Sequence, residues 1–193
     1  MKKDLFVRLT NLGSTLILIF CLNNMRQIVD TAKRYNNFVR MDMEDLGHCQ
    51  ATLDLLHELR QMYDNVGTVI QAYLYRAEQD VKDLKGVSLR LVKGTYKEPP
   101  EVAFQDKQQV DENYMNIIQL HLLNGSYTAI ATHETDMQQQ LVKEGYTMRV
   151  YVPFWERLVR IFYEPACITP AKRRVRIKRL FLEIIFCTIV NIF

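Results

Sequence analysis

Three familiar signals are missing from this chain, and each absence narrows what it can be. No Cys-x-x-Cys spacing occurs, and Cys21, Cys49, Cys167 and Cys187 have no histidine placed to complete a zinc site, so they read as ordinary cytosolic thiols and no metal is expected. No Gly-x-Gly-x-x-Gly follows a strand candidate, which removes the usual nucleotide signal of an open doubly wound sheet. No apolar run reaches the roughly 20 residues of a membrane span. Leu16–Leu22, behind Lys2 and Lys3, is short and has no small-residue cleavage site after it, so it is a poor secretory signal. What is present is 193 residues, 48% of them hydrophobic, enough for one globular core. The net charge of +3 conceals a split: residues 1–155 hold 17 basic against 19 acidic side chains, and residues 156–179 hold eight basic against two acidic.

Between residues 22 and 152, short β-branched runs alternate with helical periodicity, the pattern of βα units around a parallel sheet. Met25, Ile28, Val29 and Ala32 make a helical stripe before the strand Phe38–Met41. Leu53, Leu56, Leu59 and Met62 make the next, with Gly67 as its stop before the strand Thr68–Leu74. A helix over Glu78–Leu84 leads through Gly86 to the strand Ser88–Lys93. Tyr114, Ile117, Ile118, His121 and Leu122 share one helical face that Asn124-Gly125 ends, and Tyr127–Thr132 follows as a strand. With Val7–Thr10 and Tyr146–Val152 there are six strand candidates, two short of a (β/α)₈ barrel.

In such a barrel the reactive groups sit at the C-terminal strand ends. Polar residues gather there: Asp42, Glu44 and Asp45; Gln71 and Tyr73; Arg90 through Tyr96; Thr132 and His133; Arg149 and Tyr151. Alternation puts Asp42 with Glu44, Gln71 with Tyr73, and Arg90 with Val92 on common faces. Taken singly, each has a plainer reading as a solvated loop carboxylate, an edge arginine or a structural histidine. Their conjunction at several strand ends implies a ligand site.

Four segments, Gln71-Ala-Tyr-Leu-Tyr-Arg76, Leu89-Arg-Leu-Val-Lys-Gly-Thr-Tyr96, Ala129-Ile-Ala-Thr-His133 and Arg149-Val-Tyr-Val-Pro-Phe154, closely resemble bacterial proline dehydrogenases over residues 22 to 155. The resemblance implies a distorted (β/α)₈, TIM-like barrel holding FAD. Such an enzyme oxidises L-proline to Δ1-pyrroline-5-carboxylate by hydride transfer and passes electrons to a membrane quinone. It implies that Arg90 sits at the flavin N5 and that Val92 and Gln71 contact the isoalloxazine. Thr132 and His133 would hold the dinucleotide. Tyr96 and Tyr151 would pack around the proline ring, Asp42 would support the site by hydrogen bonding, and Arg8 stands where the family has a lysine for the substrate carboxylate. Thr95 replaces the family's usual alanine. A cytoplasmic protein with peripheral contact at the inner membrane face is expected.

The chain also departs from the family. After Phe154 the family continues with Gly and roughly Asp-Trp-Phe-Gly-Tyr-Phe-Met, then an arginine pair for the proline carboxylate. With synonymous codons chosen to fit, that heptapeptide read from its third nucleotide gives Leu-Val-Arg-Ile-Phe-Tyr-Glu, which is Leu158–Glu164. Residues 1–155 are therefore expected to form an incomplete barrel and residues 156–193 an out-of-frame, basic then apolar tail. A βα unit is missing near Glu134–Gln138, and impaired activity follows as an expectation. The alternatives are a non-catalytic remnant or a tail anchor over Leu180–Phe193, which is short and carries Glu183 and Asn191. A nucleic-acid patch in the basic run is disfavoured by its few aromatics and the lack of a binding fold around it.

Overall fold

The computed structural model describes residues 4–12, 18–124, 127–132, 134–150 and 188–192. The basic run 156–179, His133 and Tyr151 lie outside the described residues. The chain divides into two compact units, Met1–Ala129 and Ile130–Phe193.

The first unit begins with β1 (Asp4–Arg8), a 3₁₀ turn (Leu9–Leu12) and α1 (Leu18–Arg34). It continues through β2 (Phe38–Asp42), α2 (Leu46–Arg60), β3 (Val66–Gln71) and α3 (Ala77–Asp83). β4 (Leu89–Val92) and α4 (Lys107–Leu123) complete it, with the start of β5 (Thr128–Thr132). β1, β2, β3 and β4 are paired in sequence order and all parallel, so the expected βα succession is what forms. The Leu89 N–H donates to the Tyr127 carbonyl at 3.3 Å, which sets the entry to β5 beside β4.

Helix positions follow the apolar stripes. Cys21, Met25, Val29 and Ala32 of α1 are buried, as are Leu55, Leu56 and Leu59 of α2. They cover the face of the sheet on which Val39, Met41, Leu89 and Leu91 are fully buried. α2 starts where the Asp45 carboxylate accepts the His48 N–H, and α4 where Asp106 accepts the Gln109 N–H, each satisfying a donor the helix cannot. On α4 the expected Tyr114, Ile117, Ile118 and His121 are all fully buried, while Leu122 is half-buried at the margin.

Several expectations need correction. Of the α2 stripe, Leu53 is only half-buried and Met62, past the end of the helix, is exposed, with Leu55 taking the inward position. The strand expected over Val7–Thr10 is Asp4–Arg8, followed by the 3₁₀ turn. Gly67 does not end α2, which stops at Arg60; it is the second residue of β3. A Cβ there would lie 2.2 Å from the Ser88 carbonyl oxygen and 2.9 Å from the Phe38 ring, so close packing requires the glycine. β3 also stops at Gln71, and Ala72–Tyr73 form a turn, so strand alternation does not carry on from Gln71 to Tyr73.

His121 bridges the sheet and α4: its Nε2 is 2.9 Å from the Val87 carbonyl and its Nδ1 is 2.7 Å from the Thr128 hydroxyl. Nε2–H therefore donates to the carbonyl, and in the neutral ring Nδ1 accepts from the Thr128 hydroxyl. Burial pushes the imidazole below its ordinary 6.5, reinforced by Arg40 and opposed by the Val87 bond. A depressed folded-state value means the unfolded chain binds the proton more readily, so stability is full above about pH 6.5 and is lost as pH falls below it. We expect His121→Phe to cost about 1–3 kcal/mol at neutral pH, because the Val87 carbonyl loses its donor. The variant's melting temperature should also fall less than the parent's between neutral and mildly acidic pH. An equally steep pH dependence in both would contradict this.

In the second unit β5 leads into α5 (Thr135–Lys143), whose Met137 and Leu141 are buried, and α5 ends at Gly145 with φ +93°. The short connection expected after Glu134 thus contains a helix of nine residues. β6 (Met148–Val150) pairs antiparallel with β7 (Thr188–Ile192), Met148 opposite Ile192. The described part of the apolar end is therefore a strand, unlike the helix a tail anchor needs. Among the described residues no helix is long and apolar enough to cross a membrane.

Candidate active site

Strand register in the first unit assigns side chains to rows on the sheet face away from the helices. Arg40 pairs with Gly67, and Val69 with Arg90. Continuing the β2–β3 register by one residue sets Asp42 level with Val69, and therefore level with Arg90. Arg8 is the direct partner of Asp42. The upper row thus reads Arg8, Asp42, Val69, Arg90, with a small apolar residue between the last two charges. Above it Gln71 pairs with Val92. Below it Arg40 meets a glycine, and its guanidinium crosses the gap to the Ser88 carbonyl at 3.4 Å and the Ser88 hydroxyl at 3.4 Å.

The charges interact as the rows require. Burial pushes the Asp42 carboxyl above its ordinary value; Arg90, Arg8 and Arg40, in that order, oppose this, and Glu44 adds to it. Arg8 Nε lies 3.9 Å from Asp42 Oδ2, with 61% of the Arg8 side chain exposed, a loose pair that solvent screens. The Arg90 guanidinium stacks over the Phe6 ring at 5.0 Å, so β1 and β4 approach each other across the two strands between them, and the sheet of this unit curls over its polar face. Arg40 is 1% exposed and lies 3.3 Å from Asp4; burial pushes its guanidinium below the ordinary value, and Asp4 opposes the shift.

Several buried polar atoms here have no hydrogen-bond partner among the described residues: Arg90 Nε, Gln71 Oε1, Glu44 Oε2 and Arg40 Nε. Each such atom costs desolvation energy unless something meets it. Gln71 is otherwise held only by a 3.5 Å contact from its amide to the Met43 carbonyl. Glu44, just beyond β2, is tied by its other oxygen to the Thr10 hydroxyl at 2.6 Å. Arg90, the second residue of β4, supplies an unused donor and Gln71, the last of β3, an unused acceptor, on the same face of neighbouring strands.

The structure therefore brings Arg8, Asp42, Gln71, Arg90 and Val92 onto one sheet face. Tyr96 lies on the loop after β4 and is 39% exposed. Thr132 belongs to the second unit, where its hydroxyl accepts the Glu134 N–H at 3.1 Å. Arg40 and Phe6 were missed by sequence reading. The available signal was period-two spacing, which puts Arg40 on the Asp42 face and Phe6 on the Arg8 face.

In an α/β protein of the barrel type, the polar face and C-terminal ends of consecutive parallel strands are where a ligand would be held. Residues 2–143 match the proline dehydrogenase family. The chain belongs to that family, whose members are FAD-dependent oxidoreductases. It is 43% identical to proline dehydrogenase 2 of Bacillus subtilis strain 168 over 182 residues, covering 78% of this chain and 60% of the relative. It is 34% identical to the proline dehydrogenase of Deinococcus radiodurans over 183 residues, 77% of this chain and 59% of the relative. Among solved structures, proline utilization A of Bdellovibrio bacteriovorus matches with a TM-score of 0.63 at 26% identity, over 69% of this chain and 17% of that one. A Bradyrhizobium japonicum proline utilization A matches at 0.64 and 18% identity, over 72% of this chain and 18% of that one, a likeness of fold. The chain spans about 60% of the length of the curated relatives it matches. The Bacillus alignment runs over 182 residues yet takes 78% of 193, about 151, so about thirty positions of the relative have no residue opposite them here.

Proposed function

We propose that this chain carries the flavin-facing part of an L-proline-oxidising site, and that the family reaction, proline to Δ1-pyrroline-5-carboxylate, runs in it at a much reduced rate. The observation that carries this reading is the pair of buried, unpartnered atoms Arg90 Nε and Gln71 Oε1 on the same face of adjacent strands. FAD, when bound, supplies the hydride acceptor and passes the electrons on, here to a membrane quinone. Its isoalloxazine edge offers both an acceptor for Arg90 and a donor for Gln71, so the residues present fit the group. Val92, next to Gln71, packs against the ring; for the rest of the dinucleotide the family resemblance offers Thr132 and His133.

Arg8 provides the cation for the substrate carboxylate. Because it is mostly exposed and only loosely paired with Asp42, it can turn to a second carboxylate at small cost. Asp42 lies between Arg8 and Arg90 and holds both by charge, which orients them without consuming a proton. Tyr96 supplies an apolar wall that holds the proline ring and excludes water, and the family resemblance gives Tyr151 the same part. Two observations support a low rate: an arginine so exposed is a weak clamp, and about thirty aligned positions of the relative are without counterpart. The thirty correspond to about one βα unit, which supports an incomplete barrel over 1–155; that residues 156–193 are out of frame is a separate proposal, for the gene's nucleotide sequence to decide. A cytoplasmic location, peripheral to the inner membrane face, suits the quinone.

The test is anaerobic addition of L-proline to the FAD-loaded chain while the oxidised-flavin absorbance is followed. Slow bleaching, at least a hundredfold slower than in the full-length Bacillus relative, is expected. A flavin-loaded chain whose spectrum L-proline leaves untouched would favour the second reading, a flavin-binding remnant without turnover.

A further inference from the structure

We infer that Tyr73 and Gly94 form a positioning pair that sets the backbone after β4, and that the flavin and proline site proposed above depends on the loop they hold. The β3–β4 ladder does not stop with the strands. The Ala72 N–H donates to the Val92 carbonyl at 2.8 Å and the Tyr73 N–H to the Lys93 carbonyl at 2.9 Å. The next residue, Gly94, has φ +108°, a conformation side chains rarely adopt. A Cβ there would be 2.1 Å from Tyr73 Cδ1 and 2.5 Å from Cε1, so the backbone of Gly94 lies directly on the tyrosine ring. Tyr73 is 7% exposed, and Phe104 N–H holds its carbonyl at 2.8 Å. Further along, Glu98 accepts the Leu46 N–H at 2.8 Å, which fastens the same loop to the start of α2.

These contacts fix where the chain goes between Val92, which faces the site, and Tyr96, which rims it. The Tyr73 hydroxyl is buried and has no partner among the described residues. Burial, with Glu98 and Cys49 adding to it, pushes the phenol up to about 12, so the ring serves as a neutral support for the loop and takes no part in acid–base chemistry.

The experiment uses the full chain, its Gly94→Ala, Tyr73→Leu and Tyr73→Phe variants, and two readouts: backbone amide exchange and FAD titration. In Gly94→Ala the amide of Tyr73, and in both Gly94→Ala and Tyr73→Leu that of Ala72, should exchange at least tenfold faster. The amides of Val69 and Ile70 should stay within twofold of the parent. FAD affinity should fall at least tenfold in both variants, and Tyr73→Phe, which keeps the ring, should retain both properties. Unchanged exchange at Ala72 and Tyr73 would overturn the pairing. Faster exchange with unchanged FAD affinity would overturn the dependence of the site on it. If the parent chain takes up no FAD, the cofactor reading fails by itself, while the exchange pattern still decides whether the pair sets the loop.

Discussion

Arg90→Ala should weaken FAD binding on the order of a hundredfold. The side chain stacks on Phe6, feels Asp42 by charge alone, and has its Nε buried without a partner among the described residues, so a ligand acceptor is what would complete it. Losing one member of a buried, charged hydrogen bond costs about 2–5 kcal/mol, and about 3 kcal/mol corresponds to roughly a hundredfold in affinity. Arg90→Lys should recover less than a tenth of the loss, because an ammonium cannot reproduce a planar group that stacks and donates at once. Removing Arg90 also deletes the foremost of the charges that hold the Asp42 carboxyl down, so Asp42 should protonate at higher pH in the variant. Fluorescence titration measures the affinity, and an Arg90→Ala chain that binds FAD as the parent does would refute the assignment.

Tyr114→Ala should be the most damaging single truncation in the first unit. The residue is fully buried where α4 meets β4, its hydroxyl donates to the Leu91 carbonyl at 2.9 Å, and Lys93 lies over its ring at 5.8 Å. Deleting a buried aromatic side chain costs about 3–5 kcal/mol through lost transfer energy and the cavity left behind. Tyr114→Phe removes the hydroxyl alone and should cost about 1 kcal/mol. Against a total stability of about 5–15 kcal/mol for an ordinary domain, the alanine variant should lose roughly a fifth or more of its urea midpoint. A shift no larger than that of Tyr114→Phe would mean that α4 does not pack on β4 as described.

Much of the first unit was legible because its elements obey simple periods. Met25, Val29 and Ala32 declare the buried face of α1, and Tyr114, Ile117, Ile118 and His121 that of α4. β2 and β4 were found within a residue or two, since β-branched runs between helical stripes leave few alternatives. The polar face was legible for the same reason: once parallel strands are read, Asp42 and Gln71 close β2 and β3, and period two sets Arg90 on the Val92 face of β4. Gly67 misled because a glycine between a helical stripe and a strand looks like a stop, whereas its role is set by Ser88 and Phe38, distant in sequence. Arg40 was passed over because an arginine inside a strand is usually an edge residue. Here it is buried only because Gly67 on the next strand leaves it room to reach Ser88. Tyr73 was put on the Gln71 face by alternation that the turn at Ala72 interrupts. α5 was unforeseen because Thr135–Lys143 offers only Met137 and Leu141 as buried positions, too few for a stripe.

Equilibrium binding of FAD to the 193-residue chain, followed by flavin fluorescence and repeated with Arg90→Ala, tests most directly whether this member of the proline dehydrogenase family keeps its cofactor site. Saturable binding of one FAD per chain, weakened on the order of a hundredfold by the substitution, is expected. No saturable binding by the parent chain, or binding that ignores Arg90, would contradict it.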